Sequence, residues 1–142
     1  MRLLSERLGL PMILDESFTR AEQFADLETD PDRWLINIRV SKMGGILRSI
    51  EVAQLAAKRG IRLIIGAQVG ETSLLTRAAL TVAHSARPSV FAQEGAFGTH
   101  LLESDVTDPP IMFGPGGQIP TTPALQRPLS FFRPEPFLAP SE

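Results

Sequence analysis

The 142-residue sequence predicts an α/β fold in which strand-then-helix units build a parallel sheet. Three observations carry this expectation. Short apolar runs, each ending in a polar residue, recur at intervals of about 25 to 30 residues. A helix-patterned segment follows each of the first three runs, supplying the crossover that parallel strands need. With 43% hydrophobic and 21% charged residues and a mean hydropathy of +0.04, the composition is that of a globular domain rather than a disordered chain.

The first run, Leu10–Ser17, precedes a helix-like stretch at Thr19–Leu27. The second, Trp34–Ser41, leads through Gly44-Gly45 into a helix expected over Ile46–Arg59 and stopped by Gly60. Its Ile46, Ile50, Ala53 and Ala57 share one helical face and are the expected buried stripe. The third run, Ile61–Ala67, is followed by a helix at Thr72–Ser85, with Leu75, Ala79, Val82 and Ala86 on one face. The fourth is Ser89–Glu94. Four such units are half of a (β/α)₈ barrel, which takes about 250 residues. A small open doubly wound sheet accounts for the same pattern.

The last 35 residues differ in kind. Pro109, Pro110, Pro115, Pro120, Pro123, Pro128, Pro134, Pro136 and Pro140 exclude a long helix or a central strand there. Ile111, Met112, Phe113, Phe131, Phe132 and Phe137 make the segment too apolar for a free linker. It reads as an extended, proline-rich tail (residues 107–142) that packs over a surface, its own or a partner's, while residues 1–106 carry the strand–helix units.

Charge and cysteine content narrow the function. Fourteen basic against 16 acidic residues give a net charge of −2, so nothing drives binding to nucleic acid or an anionic membrane. The absence of cysteine removes disulfides, thiolate nucleophiles and Cys-ligated metals, and fits a cytoplasmic location. No apolar run approaches the roughly 20 residues of a membrane span. The N-terminus, with Arg2, Glu6 and Arg7, has no signal-peptide pattern.

Strand alternation sorts the polar residues. Ile36, Ile38 and Val40 share the face that helices must cover, so Asn37 and Arg39 point the other way. By the same parity Asp15 lies with Ile13 and Glu94 with Ala92. Asp15, Arg39, Gln68 and Glu94 therefore mark four successive carboxyl ends of strands, where α/β proteins bind ligands and do chemistry.

These residues carry a resemblance. Pro11-Met12-Ile13-Leu14-Asp15-Glu16-Ser17 and Asn37-Ile38-Arg39-Val40-Ser41-Lys42-Met43-Gly44-Gly45-Ile46 resemble the second half of the enolase-superfamily barrel, in the muconate-lactonizing enzyme and mandelate racemase branch. The likeness continues through Gly66-Ala67-Gln68-Val69-Gly70-Glu71 and Glu94 to Asp108-Pro109-Pro110, covering roughly residues 8–125. It implies the C-terminal half of a TIM-type barrel, strands five to eight, in a racemase, cycloisomerase or dehydratase that takes a proton from carbon next to a carboxylate. It further implies that Asp15 is one of three carboxylate ligands of Mg²⁺, the metal that stabilises the enolate. Glu94 matches the acid at the end of the last strand, beside the substrate. Asn37, Gln68 and Glu71 fall at substrate-binding positions.

Two departures stand beside the match. The family's acid/base lysine aligns with Arg39, and a guanidinium, always protonated, is a poor base but a good fork for a carboxylate. Gln68 stands where the mandelate-racemase histidine belongs. The barrel's first half, with two metal ligands, a further lysine motif and a capping domain, is missing from the chain. The resemblance thus implies weak or no Mg²⁺ binding and no activity in isolation, and a non-catalytic, anion-binding remnant is the alternative. Open sheet edges point to a homo-oligomer. Lys42, read by strand parity, faces away from the interior and is expected at the surface. Gly44-Gly45 reads as a tight turn rather than a phosphate loop. His84 and His100 lack partners at metal-ligand spacing, and Ser17, Ser73 and Ser130 lack a nucleophile-elbow context.

Overall fold

The computed structural model describes residues 2–27, 30–119, 126 and 128–131. A helix, α1 (Arg2–Leu8), precedes β1 (Met12–Leu14). Next come β2 (Trp34–Ile38), a single helical turn α2 (Val40–Met43) and α3 (Ile46–Lys58). β3 (Arg62–Ile65), α4 (Ser73–Ser85) and β4 (Val90–Gln93) complete the pattern. The four strands form one parallel sheet in chain order, β1-β2-β3-β4, with Ile13 beside Leu35, Asn37 beside Ile64, and Ile65 beside Gln93. The alternation of strand and helix expected from the sequence is therefore present. The strands are shorter than their apolar runs.

The core lies between sheet and helices. Ile36, Ile38, Val40, Leu63 and Ile65 pack with Val52, Ala53 and Ala56 of α3 and Ala79 and Val82 of α4. Each large aliphatic side chain fully buried here contributes roughly 1.5–3 kcal/mol. Leu35 and Ile64, of opposite parity, lie outside this cluster, and Ile13 and Phe91 are exposed.

Two helical expectations need correction. The buried stripe of α3 is Ser49, Val52, Ala53 and Ala56; of the expected residues Ala53 is buried and Ile50 packs partly buried against the core, while Ile46 and Ala57 are exposed. Small side chains let the helix lie close to its neighbours, and Ser49 satisfies its hydroxyl by donating to the Gly45 carbonyl at 2.8 Å. Ile46 is left 39% exposed. The segment at Thr19–Leu27 forms only a 3₁₀ helix, Ala21–Asp26, anchored by Phe24 edge-on to Phe18 with ring centroids 5.0 Å apart. For α4 the stripe is nearer the expectation, since Ala79, Val82 and Ala86 are buried.

The Gly44-Gly45 pair makes a turn. Gly44 ends α2 in the left-handed region (φ 84°) and Gly45 opens α3 at φ 111°, conformations that favour glycine. This lets the chain leave β2, make one helical turn and reverse into α3.

Beyond β4 the chain packs back onto the domain. Asp105 is buried and accepts from Ser73 N–H and Oγ at 2.9 and 2.7 Å and from Thr107 N–H at 3.2 Å. The carboxylate thereby caps the N-terminus of α4. The Ser73 hydroxyl in turn accepts from Ile111 N–H at 2.6 Å. Phe113 sits edge-on to Phe97 at 5.2 Å. A two-residue strand, β5 (Thr107–Asp108), pairs antiparallel with β6 (Ser130–Phe131). The remainder of the proline-rich tail lies outside the described residues, Pro134, Pro136, Phe137 and Pro140 included. Among the described residues no helix is long and apolar enough to cross a membrane.

Candidate active site

The site forms where the four parallel strands end. After Leu14 the chain turns at once, with Phe18 N–H donating to the Asp15 carbonyl at 3.0 Å, and this leaves the Asp15 carboxylate at the sheet's edge. Asn37, the last inward residue of β2, is 3% exposed and donates from Nδ2 to Asp15 Oδ2 at 3.2 Å. Its amide occupies space that only a glycine at position 66 leaves free, because a Cβ there would overlap it.

Arg39 is the hub. Its Nη2 donates to Asp15 Oδ2 at 2.5 Å, and its Nη1 lies 3.1 Å from Glu16 Oε1 and 3.3 Å from Gln68 Oε1. The side chain is only 18% exposed, so these charge-assisted bonds fix the guanidinium in place. Three of the expected strand-end residues, Asp15, Arg39 and Gln68, are thus joined through Arg39. Glu94, the fourth, is exposed and accepts from Ala67 N–H at 3.4 Å.

A cavity of about 810 Å³ opens at this mouth, with Arg39, Gln68, Glu94, Phe97 and Phe113 among its walls. It offers one fixed cation, one exposed carboxylate, the amides of Gln68 and Gln93 and an aromatic edge. Such a set can hold a small carboxylate with an apolar body.

Glu71 lies close by but does not line the cavity. It is 6% exposed, and burial pushes its carboxyl above the usual 4.5, against the opposing influence of the Gln68 backbone N–H and the Arg39 charge. Its Oε2 has no hydrogen-bond partner.

Lys42 is the residue that strand parity places wrongly. Far from the surface, its side chain is 9% exposed and its Nζ lies 3.0 Å from Asp15 Oδ1. Strand parity stops at Ile38. In the helical turn Val40–Met43 the Cα–Cβ bonds tilt back toward the strand end, which carries Lys42 to Asp15. Gly-Gly two residues on was the available signal that a turn, not a strand, held Lys42. Glu16, also absent from the expected set, joins through Arg39.

The Mg²⁺ implied by the resemblance does not fit the residues present. Both Asp15 oxygens are engaged by cationic or amide donors. Among the described residues no group of three or more His, Asp or Glu side chains could hold a metal.

Fold and site together define a class, an α/β domain with charged side chains gathered at the carboxyl ends of parallel strands, where such proteins bind ligands. Comparison with known proteins gives the family. The chain belongs to the family described as Enolase C-terminal domain-like, whose model matches residues 1–124. An N-succinylamino acid racemase from Amycolatopsis sp is 29% identical over 122 residues, covering 86% of this chain. The chain spans 33% of the length of that relative. No solved structure gives a significant match.

Proposed function

We propose that this chain is the C-terminal part of an enolase-superfamily enzyme that removes a proton from carbon next to a carboxylate, and that it is not catalytically competent alone. In this reading the four-stranded sheet is half of a TIM-type barrel, and a complementary half supplies the remaining groups. The observation that carries it is Arg39, held at the mouth of the sheet beside the cavity that Glu94 also lines. Arg39 grips the substrate carboxylate and offsets charge that develops on it, while Glu94 is the exposed group able to move a proton. Gln68 fixes the hub's orientation directly, and Asn37 does so through Asp15. Magnesium dependence belongs to the completed barrel, because one carboxylate gives millimolar affinity or weaker, to order of magnitude. The open edges of β1 and β4 are paired by a second copy or by the missing half, in a cytoplasmic assembly.

Small carboxylates, including N-succinylated amino acids like those named for the relative, are the substrate class to test. NMR titration is expected to shift the Arg39 and Gln68 signals saturably, and Arg39→Ala is expected to abolish the response. Equal binding by Arg39→Ala contradicts the proposal. A second reading, a non-catalytic anion-binding module, is favoured by arginine at the position of the family's base. Binding without proton exchange, even after a complementary half is added, selects it.

A further inference from the structure

The oxygens around Lys42 are arranged as for a bound cation. Its Nζ reaches Asp15 Oδ1 at 3.0 Å, the Asp15 carbonyl at 2.5 Å and the Asn37 carbonyl at 3.0 Å. An ammonium has three donors and no acceptor, so these three oxygens satisfy it completely. One carboxylate oxygen and two backbone carbonyls are also the donor types a hard metal ion takes. The remaining oxygen, Asp15 Oδ2, is held by Arg39 and Asn37.

We infer that Lys42 is the resident cation of Asp15: a tethered ammonium fills an oxygen cradle at the ends of β1 and β2 and withholds this carboxylate from a divalent metal. A metal approaching Asp15 has to break a charge-assisted bond to Lys42 or Arg39 and then share one carboxylate with both displaced charges. This goes beyond the shortage of ligands in the chain, because it concerns the one metal-ligand carboxylate that the chain itself supplies. The bridge also ties two neighbouring strand ends, so Lys42 acts through Asp15 as a positioning residue.

The test uses the fact that the chain has two lysines, Lys42 and the exposed Lys58. Reductive methylation read by mass spectrometry is expected to modify Lys42 at least roughly tenfold more slowly than Lys58, as for a group that reacts only on local opening. Asp15→Asn is expected to remove most of that protection, and millimolar Mg²⁺ is expected to leave the wild-type pattern unchanged. Lys42→Ala, which empties the cradle, is expected to gain thermal stability with MgCl₂ or CaCl₂ over choline chloride, a response the wild type lacks. The inference is overturned if Lys42 reacts as fast as Lys58, if Asp15→Asn leaves its rate unchanged, or if Mg²⁺ exposes it in the wild type. A folded Lys42→Ala without a divalent-ion response overturns it as well. Should that variant not fold, the methylation rates of wild type and Asp15→Asn still decide.

Discussion

The two sides of the strand-end mouth are built differently. At β1 and β2, Asp15, Asn37, Arg39 and Lys42 are locked together, each charge answered by another. At β3 and β4, Gln68, Gln93 and Glu94 border an open cavity, and buried Glu71 has a carboxyl oxygen with no partner. The first side spends most of its polar groups on one another and so positions them, although Arg39 Nε and Asn37 Oδ1 are buried there without a partner. The second leaves groups available to a ligand. A site of this kind has a rigid electrostatic wall and a receptive one, and Arg39, facing both, connects them.

The largest expected effect breaks the rigid wall. Asp15→Ala removes the anion that Arg39 and Lys42 share, leaving Arg39 only the exposed Glu16 and the largely buried Lys42 ammonium no carboxylate, which is costly. Allowing for their residual exposure, a loss of about 2–3 kcal/mol in urea denaturation is expected. A change within about 0.5 kcal/mol, normal for surface positions, contradicts the pairing.

Gly66→Ala attacks the same wall by volume alone. The added methyl overlaps the Asn37 amide and forces it off Asp15. The expected cost is about 1–3 kcal/mol, as for other overpacked sites. Combined with Asn37→Ala the penalty is expected to shrink, and a double-mutant cycle reads the difference.

On the receptive wall the expected effect is smaller and depends on pH. Burial raises the Glu71 pKa above its ordinary 4.5. Between those two values the folded state binds more protons than the unfolded state, so stability falls as pH rises through the window. The burden is absent below 4.5 and fully present above the folded pKa. Glu71→Gln is therefore expected to gain most in melting temperature, relative to wild type, at neutral pH and to lose that advantage on acidification. A gap independent of pH contradicts the assignment.

How much of this was legible in the sequence follows the same division. The strand–helix alternation could be read from the spacing of the apolar runs, and the clustering of Asp15, Asn37, Arg39 and Gln68 because alternation along a strand sorts side chains by face at its carboxyl end; the order of the strands could not. Parity fails once the strand ends, and Lys42 lies four residues past Ile38 on a helical turn. The buried face of α3 was illegible for another reason. Hydrophobicity ranks Ile46 above Ser49, whereas close packing selects the smaller side chain that can satisfy its own hydroxyl. The environment of Glu71 depends on the approach of Gly95, distant in sequence, and no local pattern encodes it.

These residues are proposed to form part of a proton-abstraction site that this chain alone leaves incomplete. Deuterium incorporation from D₂O into small carboxylates, followed by ¹H NMR, tests it most directly. No exchange is expected from the 142-residue chain or from Arg39→Lys, and measurable exchange only when a complementary half supplying further carboxylates is added. Exchange catalysed by the unmodified chain alone, and lost in Asp15→Asn, would contradict it.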